Sequence, residues 1–85
     1  MIGALRERLL LQRPESVGGA LTFTDVSGAW GQASAEAGRH RFIIRARADV
    51  RAGWRLVWGA RRFRVVAAFD ADDARTELLC EEELP

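Results

Sequence analysis

Between Arg41 and Phe69, apolar and polar side chains change places at nearly every step, and that period of two admits few folds. Phe42, Ile44, Ala46 and Ala48 fall on one face, and Arg41, Ile43, Arg45 and Arg47 on the other. Further on, Trp54, Leu56 and Trp58 oppose Arg55 and Val57, and Phe63, Val65, Ala67 and Phe69 share a side. Successive side chains of a strand point to opposite faces, so this alternation marks half-buried strands. Asp49 to Gly53 reads as a turn, and Gly59 with Ala60 as a two-residue hairpin loop that wants glycine first.

The flanking segments extend the pattern. Residues 6–14 read as a first strand, with Leu9 and Leu11 on one face and Leu10 opposite. Pro14 is expected to end it, because proline cannot donate to a ladder. The Gly18-Gly19 pair marks a turn. Residues 21–36 form a second extended stretch, rich in strand formers such as Thr22, Phe23, Thr24, Val26 and Trp30. Gly28 and Gly31 inside it predict a bulge or sharp bend, so that one long strand serves two sides of a small barrel. A short helix over residues 33–37 is the alternative, too brief to be stable alone. An acidic turn, DADDAR, leads to a last strand over residues 75–83, where Glu77, Leu78 and Leu79 would also suit a helix start. The expected fold is all-β: a five- to six-stranded antiparallel barrel or sandwich, SH3-like, with mobile termini.

Eighty-five residues make one domain, residues 1–85. A chain this short buries only about 60% of its unfolded surface, so it needs a staple or a partner. Cys80 is the only cysteine, which excludes an intrachain disulfide. His40 and Cys80 are the only strong metal ligands and have no metal-site spacing, so neither metal nor cofactor is expected. Self-association or partner binding remains by elimination. No apolar run approaches the roughly 20 residues of a membrane helix. Arg6, Glu7 and Arg8 interrupt what would be the apolar part of a signal peptide, and the lone cysteine fits a reducing cytoplasm.

The thirteen basic residues, all arginine, face twelve acids, for a net charge of +1. A nucleic-acid binder usually carries a basic excess, so the strand arginines read as the wet face of a sheet before they read as DNA contacts. Arg55 and Arg64 would crowd each other across the hairpin unless carboxylates intervene; Asp49, Asp70, Asp72, Asp73 and Glu77 are candidates. Trp30, Trp54 and Trp58 read as core first, oligomer interface second and base-stacking platforms third. Catalysis finds little footing. His40 sits between two arginines without a carboxylate to orient it, and Cys80 lies among leucines and glutamates rather than in positive surroundings. Ser16, Ser27 and Ser34 have no nucleophile-elbow context. The acidic clusters DADD and CEEE match no calcium loop and read as solvated.

Taken in order, MIGALRERLLLQRP, FTDVSGAW, HRFIIRARADVRAGWRLVWGARRFRVVAAFD and TELLCEE resemble the head–tail joining proteins of long-tailed bacteriophages, also called head completion, adaptor or stopper proteins. The parts that carry the resemblance are LQRP at Leu11 to Pro14, Trp30, Arg41 to Arg55, Gly59, and Leu78 to Glu82. It covers nearly the whole chain, and its weight lies in the order and spacing of the parts. Short arginine- and alanine-rich relatives of this kind also occur in gene transfer agents.

The resemblance implies no enzyme but a small β-barrel whose copies, six or twelve per particle, form a ring in the neck of a virion or virus-like particle. The subunit would be made in the bacterial cytoplasm. The ring would sit between the portal–adaptor complex and the tail terminator or tail tube, with DNA passing through its centre without sequence-specific contact and no membrane involved. An all-β chain favours stopper over adaptor. A heterologous ring contact needs two different patches; Arg45, Arg47 and Arg55 on one copy and Asp70, Asp72, Asp73, Glu81 and Glu82 on the next are the candidates. Ala35, Glu36, Ala37, Gly38 and Arg39 form the candidate lumen-facing loop. Relatives carry a longer insertion there, which in some helps to retain packaged DNA, and the shortness of this one argues against a plug. A small nucleic-acid-binding barrel is the alternative function. Residues 1–5 and 81–85 are expected to order on docking.

Overall fold

The computed structural model describes residues 6–36 and 38–84. Six strands follow one another: β1 (Glu7–Val17), β2 (Ala20–Glu36), β3 (Arg39–Arg45), β4 (Arg55–Trp58), β5 (Arg61–Asp72) and β6 (Arg75–Glu83). All pair antiparallel and close on themselves in the order β1-β2-β3-β6-β5-β4. Within the barrel wall, closure removes the open edges that a six-stranded sheet would otherwise offer to other chains.

The inward residues are those that the alternation selects. Leu9, Leu11, Phe42, Ile44, Leu56, Phe63, Val65, Leu78 and Cys80 are buried, with Val50 and Trp54 beside them. Phe42 and Phe63 meet edge to face at 5.0 Å, and Phe42 meets Trp58 the same way at 5.7 Å, the geometry that aromatic quadrupoles favour. β2 contributes mostly small residues to this core, Ala29, Gly31 and Ala33, with Val26 packed against it. It is the long bent strand the glycines predict. Gly31 pairs with Glu7 of β1 and with Ile44 of β3, so the strand changes partner there.

Three register shifts interrupt the regular pairing, at Val66 and Ala71 of β5 and at Val26 of β2. Val66 is the extra residue of β5, since Val65 pairs with Cys80 and Ala67 with Leu79. An extra residue moves every later side chain to the other face. Ala68 therefore packs on the core, and Phe69, expected inside with Phe63, is exposed. Val26 is the extra residue of β2 opposite β1.

Two further expectations are corrected, and the alternative of a short helix falls away where the extended reading of residues 21–36 holds. Pro14 does not end β1: pairing with β4 stops at Gln12, and beyond it the strand has β2 on one side only, so the missing N–H can face the open edge. Residues 33–36 are strand rather than helix. Ala46 and Ala48 are exposed, because β3 stops at Arg45 and the chain then turns across the end of the barrel. Residues 1–5 and 85, expected to be mobile, lie outside the described residues, as does Ala37; Glu81 to Glu83, expected to order on docking, complete β6.

Thr76, the one buried polar residue among those described, ties the loop after β3 to the barrel. Its Oγ1 accepts from the Arg47 N–H at 2.9 Å and donates to the Arg47 carbonyl at 3.3 Å. Thr76→Val keeps the shape but strands both backbone groups, so it should cost about 1–3 kcal/mol in a denaturant titration. Amide exchange at Arg47 should accelerate with it.

Candidate assembly surfaces

The outer wall answers the question of the arginines. Arg55 and Arg64 do face each other across the β4–β5 hairpin. Their carboxylates come from β6: Arg55 Nε donates to Glu83 at 2.8 Å and Arg64 to Glu81 at 2.5 Å. Arg61 holds Glu82 through two bonds of 2.8 Å, and Arg41 reaches Glu77 at 2.9 Å. Surface pairs of this kind contribute little each to stability, because solvent screens them. Their effect is to neutralise the basic stripe, so that it presents no run of positive charge to a polyanion.

Of the eight charged residues proposed to meet the next subunit, five are engaged within the chain. Arg47 makes two bonds to Asp49, at 3.0 and 2.8 Å, and a third to the Ser27 hydroxyl. The Arg47 guanidinium holds the Asp49 carboxyl below its ordinary range, and Arg61 does the same to Glu82. Arg55 also lies 3.8 Å from the ring centroid of Phe23, so it anchors β2 to β4. Glu81 and Glu82 are paired as above. Arg45 stands opposite Arg75 at the end of β3, while Asp70 and Asp72 close β5 and Asp73 lies in the turn beyond. The Asp72 carboxylate accepts the Ala74 N–H at 2.8 Å, which shapes that turn. Ala35 and Glu36 finish β2, and Glu36 pairs with Arg39, with Gly38 in the turn before β3.

What the sequence reading missed is apolar. Val17, Leu21, Trp30 and Phe69 are 61%, 67%, 51% and 48% exposed. Val17 and Leu21 crown an arm. From Arg13 to Val17, β1 pairs only with β2, and from Ala20 to Trp30, β2 pairs only with β1. The result is a two-stranded ribbon leaving the barrel, which gives the molecule a length of 47 Å against 26 and 19 Å in the other directions. Gly18 and Gly19 turn it with φ of 58° and 82°, the paired positive angles of a type I′ hairpin. At the barrel end from which the arm leaves, Ala48, Val50, Ala68 and Phe69 line an open groove rimmed by Arg47 and Asp70. The legible signals were the Gly-Gly turn and the absence of charge around it.

The residues suited to chemistry are buried or stacked. Cys80 is inaccessible, and desolvation raises its pKa to about 12. His40 packs against Phe63 at 4.8 Å and faces the Arg61 guanidinium at 3.3 Å.

Against known proteins, the model of the phage head completion protein family matches residues 21–83. The chain belongs to that family. It is thus a structural protein of a phage head. No curated protein matches it. Solved structures share its fold, and two of them are similar along nearly the whole chain. One is the solution structure of protein SF1141 from Shigella flexneri 2a, at 24% identity and a TM-score of 0.81, covering 95% of each chain. The other is a chain from the virion of a native gene transfer agent particle, at 19% identity and a TM-score of 0.82, covering 98% of this chain and 99% of that one.

Proposed function

We propose that copies of this head completion protein form a ring in the particle neck, between the portal–adaptor complex and the tail, with DNA passing through the centre. The family match over residues 21–83 carries the reading. The likeness to a chain of a gene transfer agent virion supports a phage or phage-like particle as its setting. The subunit acts as a stopper-type connector: a rigid closed barrel that joins neighbours and does no chemistry. Its neutralised outer wall suits a channel that lets DNA slide, because unpaired arginines would grip phosphate. The turn at Gly38 is too short to reach far into such a channel, which fits a connector without a plug at that point.

A small nucleic-acid-binding barrel would behave differently. At about 150 mM salt the purified protein should leave duplex and single-stranded DNA unshifted in a gel at micromolar concentration. A shift that weakens steeply with salt would show counterion release from phosphate contacts and would favour the binder.

A further inference from the structure

The arm and the groove are complementary halves that one chain cannot join. Residues 16–24 carry no charge, in a chain of which 29% is charged. At about 3.3 Å per residue, the tip stands roughly 17 Å beyond Gln12, where β1 leaves the barrel wall. Its own barrel leaves Val17 and Leu21 uncovered, while the groove of Ala48, Val50, Ala68 and Phe69 opens at the arm's base. A two-stranded ribbon is marginal by itself in water, so an exposed apolar tip calls for a partner surface. That partner is not nucleic acid, since the arm from Pro14 to the tip and back to Thr24 has no basic residue, the arginine on the groove's rim, Arg47, is held by Asp49, and Asp70, Asp72 and Asp73 line the groove and the depression beside it.

We infer that the β1–β2 arm of one subunit seats its Val17–Leu21 tip in the Ala48–Phe69 groove of the next copy, and that this heterologous contact, repeated, builds the ring. The inference rests on the ring reading above. Tip and groove lie on one chain, so each copy gives one and receives one, as a closed ring requires. A stable pair buries about 800 Å² per partner, more than an arm tip supplies. Single contacts are therefore weak, and closure or docking on neighbours holds the ring.

Disulfide trapping tests it directly, because the native thiol is buried and does not compete. Two pairs are made separately: Leu21→Cys with Phe69→Cys, and Val17→Cys with Ala48→Cys. Mild oxidation at high protein concentration should give at least one pair a ladder of covalent oligomers past the dimer, ending at the ring's copy number. Single-cysteine variants should stop at dimers. Like-to-like disulfides can also extend a chain with two cysteines, so the links are read by peptide mass spectrometry: links between positions 21 and 69, or 17 and 48, support the arm contact, and oligomers or dimers holding only like-to-like links overturn it. Native mass spectrometry of the unmodified protein at the same concentration reports on the ring separately: rings without a ladder would leave the ring reading intact and remove only the arm. Val17→Asp with Leu21→Asp is the complementary variant. It should keep the wild-type circular dichroism and melting point, since both sites are exposed, and lose the rings.

Discussion

Gly31→Ala is expected to lower the melting temperature by roughly 5–20 °C, although strand propensity argues the reverse. Glycine inside a strand is usually a liability of about 0.5–1 kcal/mol relative to alanine. Here a methyl at position 31 would sit 2.5 Å from Leu9 Cδ1, 3.1 Å from the Ile43 carbonyl and 3.2 Å from Ile44 Cγ2. Leu9 and Ile44 are themselves buried, so neither has room to retreat, and the carbonyl belongs to the neighbouring strand. Overpacking of this kind costs about 1–3 kcal/mol, which outweighs the propensity gain. Leu9→Val removes the nearest clashing carbon. The double variant should therefore lose less than the two single losses combined, the signature of sites in contact. Additive losses would show that the close approach at Gly31 is not what the barrel depends on.

Alkaline pH is the second large effect, and this chain isolates its cause. It has no tyrosine, and its thirteen basic side chains are all arginine, so between about pH 9 and 12 Cys80 is the only side chain expected to titrate. The thiol ionises near 9.0 when unfolded and, desolvated in the barrel, only at about 12. The thiol's contribution to folding is thus indifferent to pH up to about 9. Above that the unfolded chain loses a proton that the native chain keeps, and stability falls by about 1.4 kcal/mol per pH unit. Near pH 11 that amounts to on the order of 3 kcal/mol, a large share of the 5–15 kcal/mol typical of a domain. Urea midpoints measured from pH 7 to 11 should decline above 9 for the wild type and stay flat for Cys80→Ala. Parallel curves would mean that the thiol is not desolvated as the barrel implies.

The alternation fixed most strands because each inward residue needs only its two flanking neighbours to be recognised. It failed where a single backbone residue changes the count. Nothing in RVVAAF marks Val66 as an extra residue, because the bulge is set by how β5 must curve against β6. That slip is why Phe69 was placed inside. Pro14 was misread for a similar reason: whether proline ends a strand depends on which edge is covered, and the β1–β4 pairing that decides it spans some 45 residues. Arg55 and Arg64 are recognised by type, but their carboxylates are not the Asp49, Asp70, Asp72, Asp73 or Glu77 that the sequence offers. Arg55 and Arg64 find Glu83 and Glu81 only because β6 lies between β3 and β5, an order no local pattern encodes. The arm was half visible in the uncharged run around Gly18 and Gly19, yet its length depends on where β4 stops pairing.

Electron microscopy of particles assembled without this protein bears most directly on its role as the connector between head and tail. The connector account predicts DNA-filled heads and free tails side by side, with joined particles restored when the wild-type chain is supplied. Tailed particles in normal number from cells that lack it would contradict the account, whatever the purified barrel does alone.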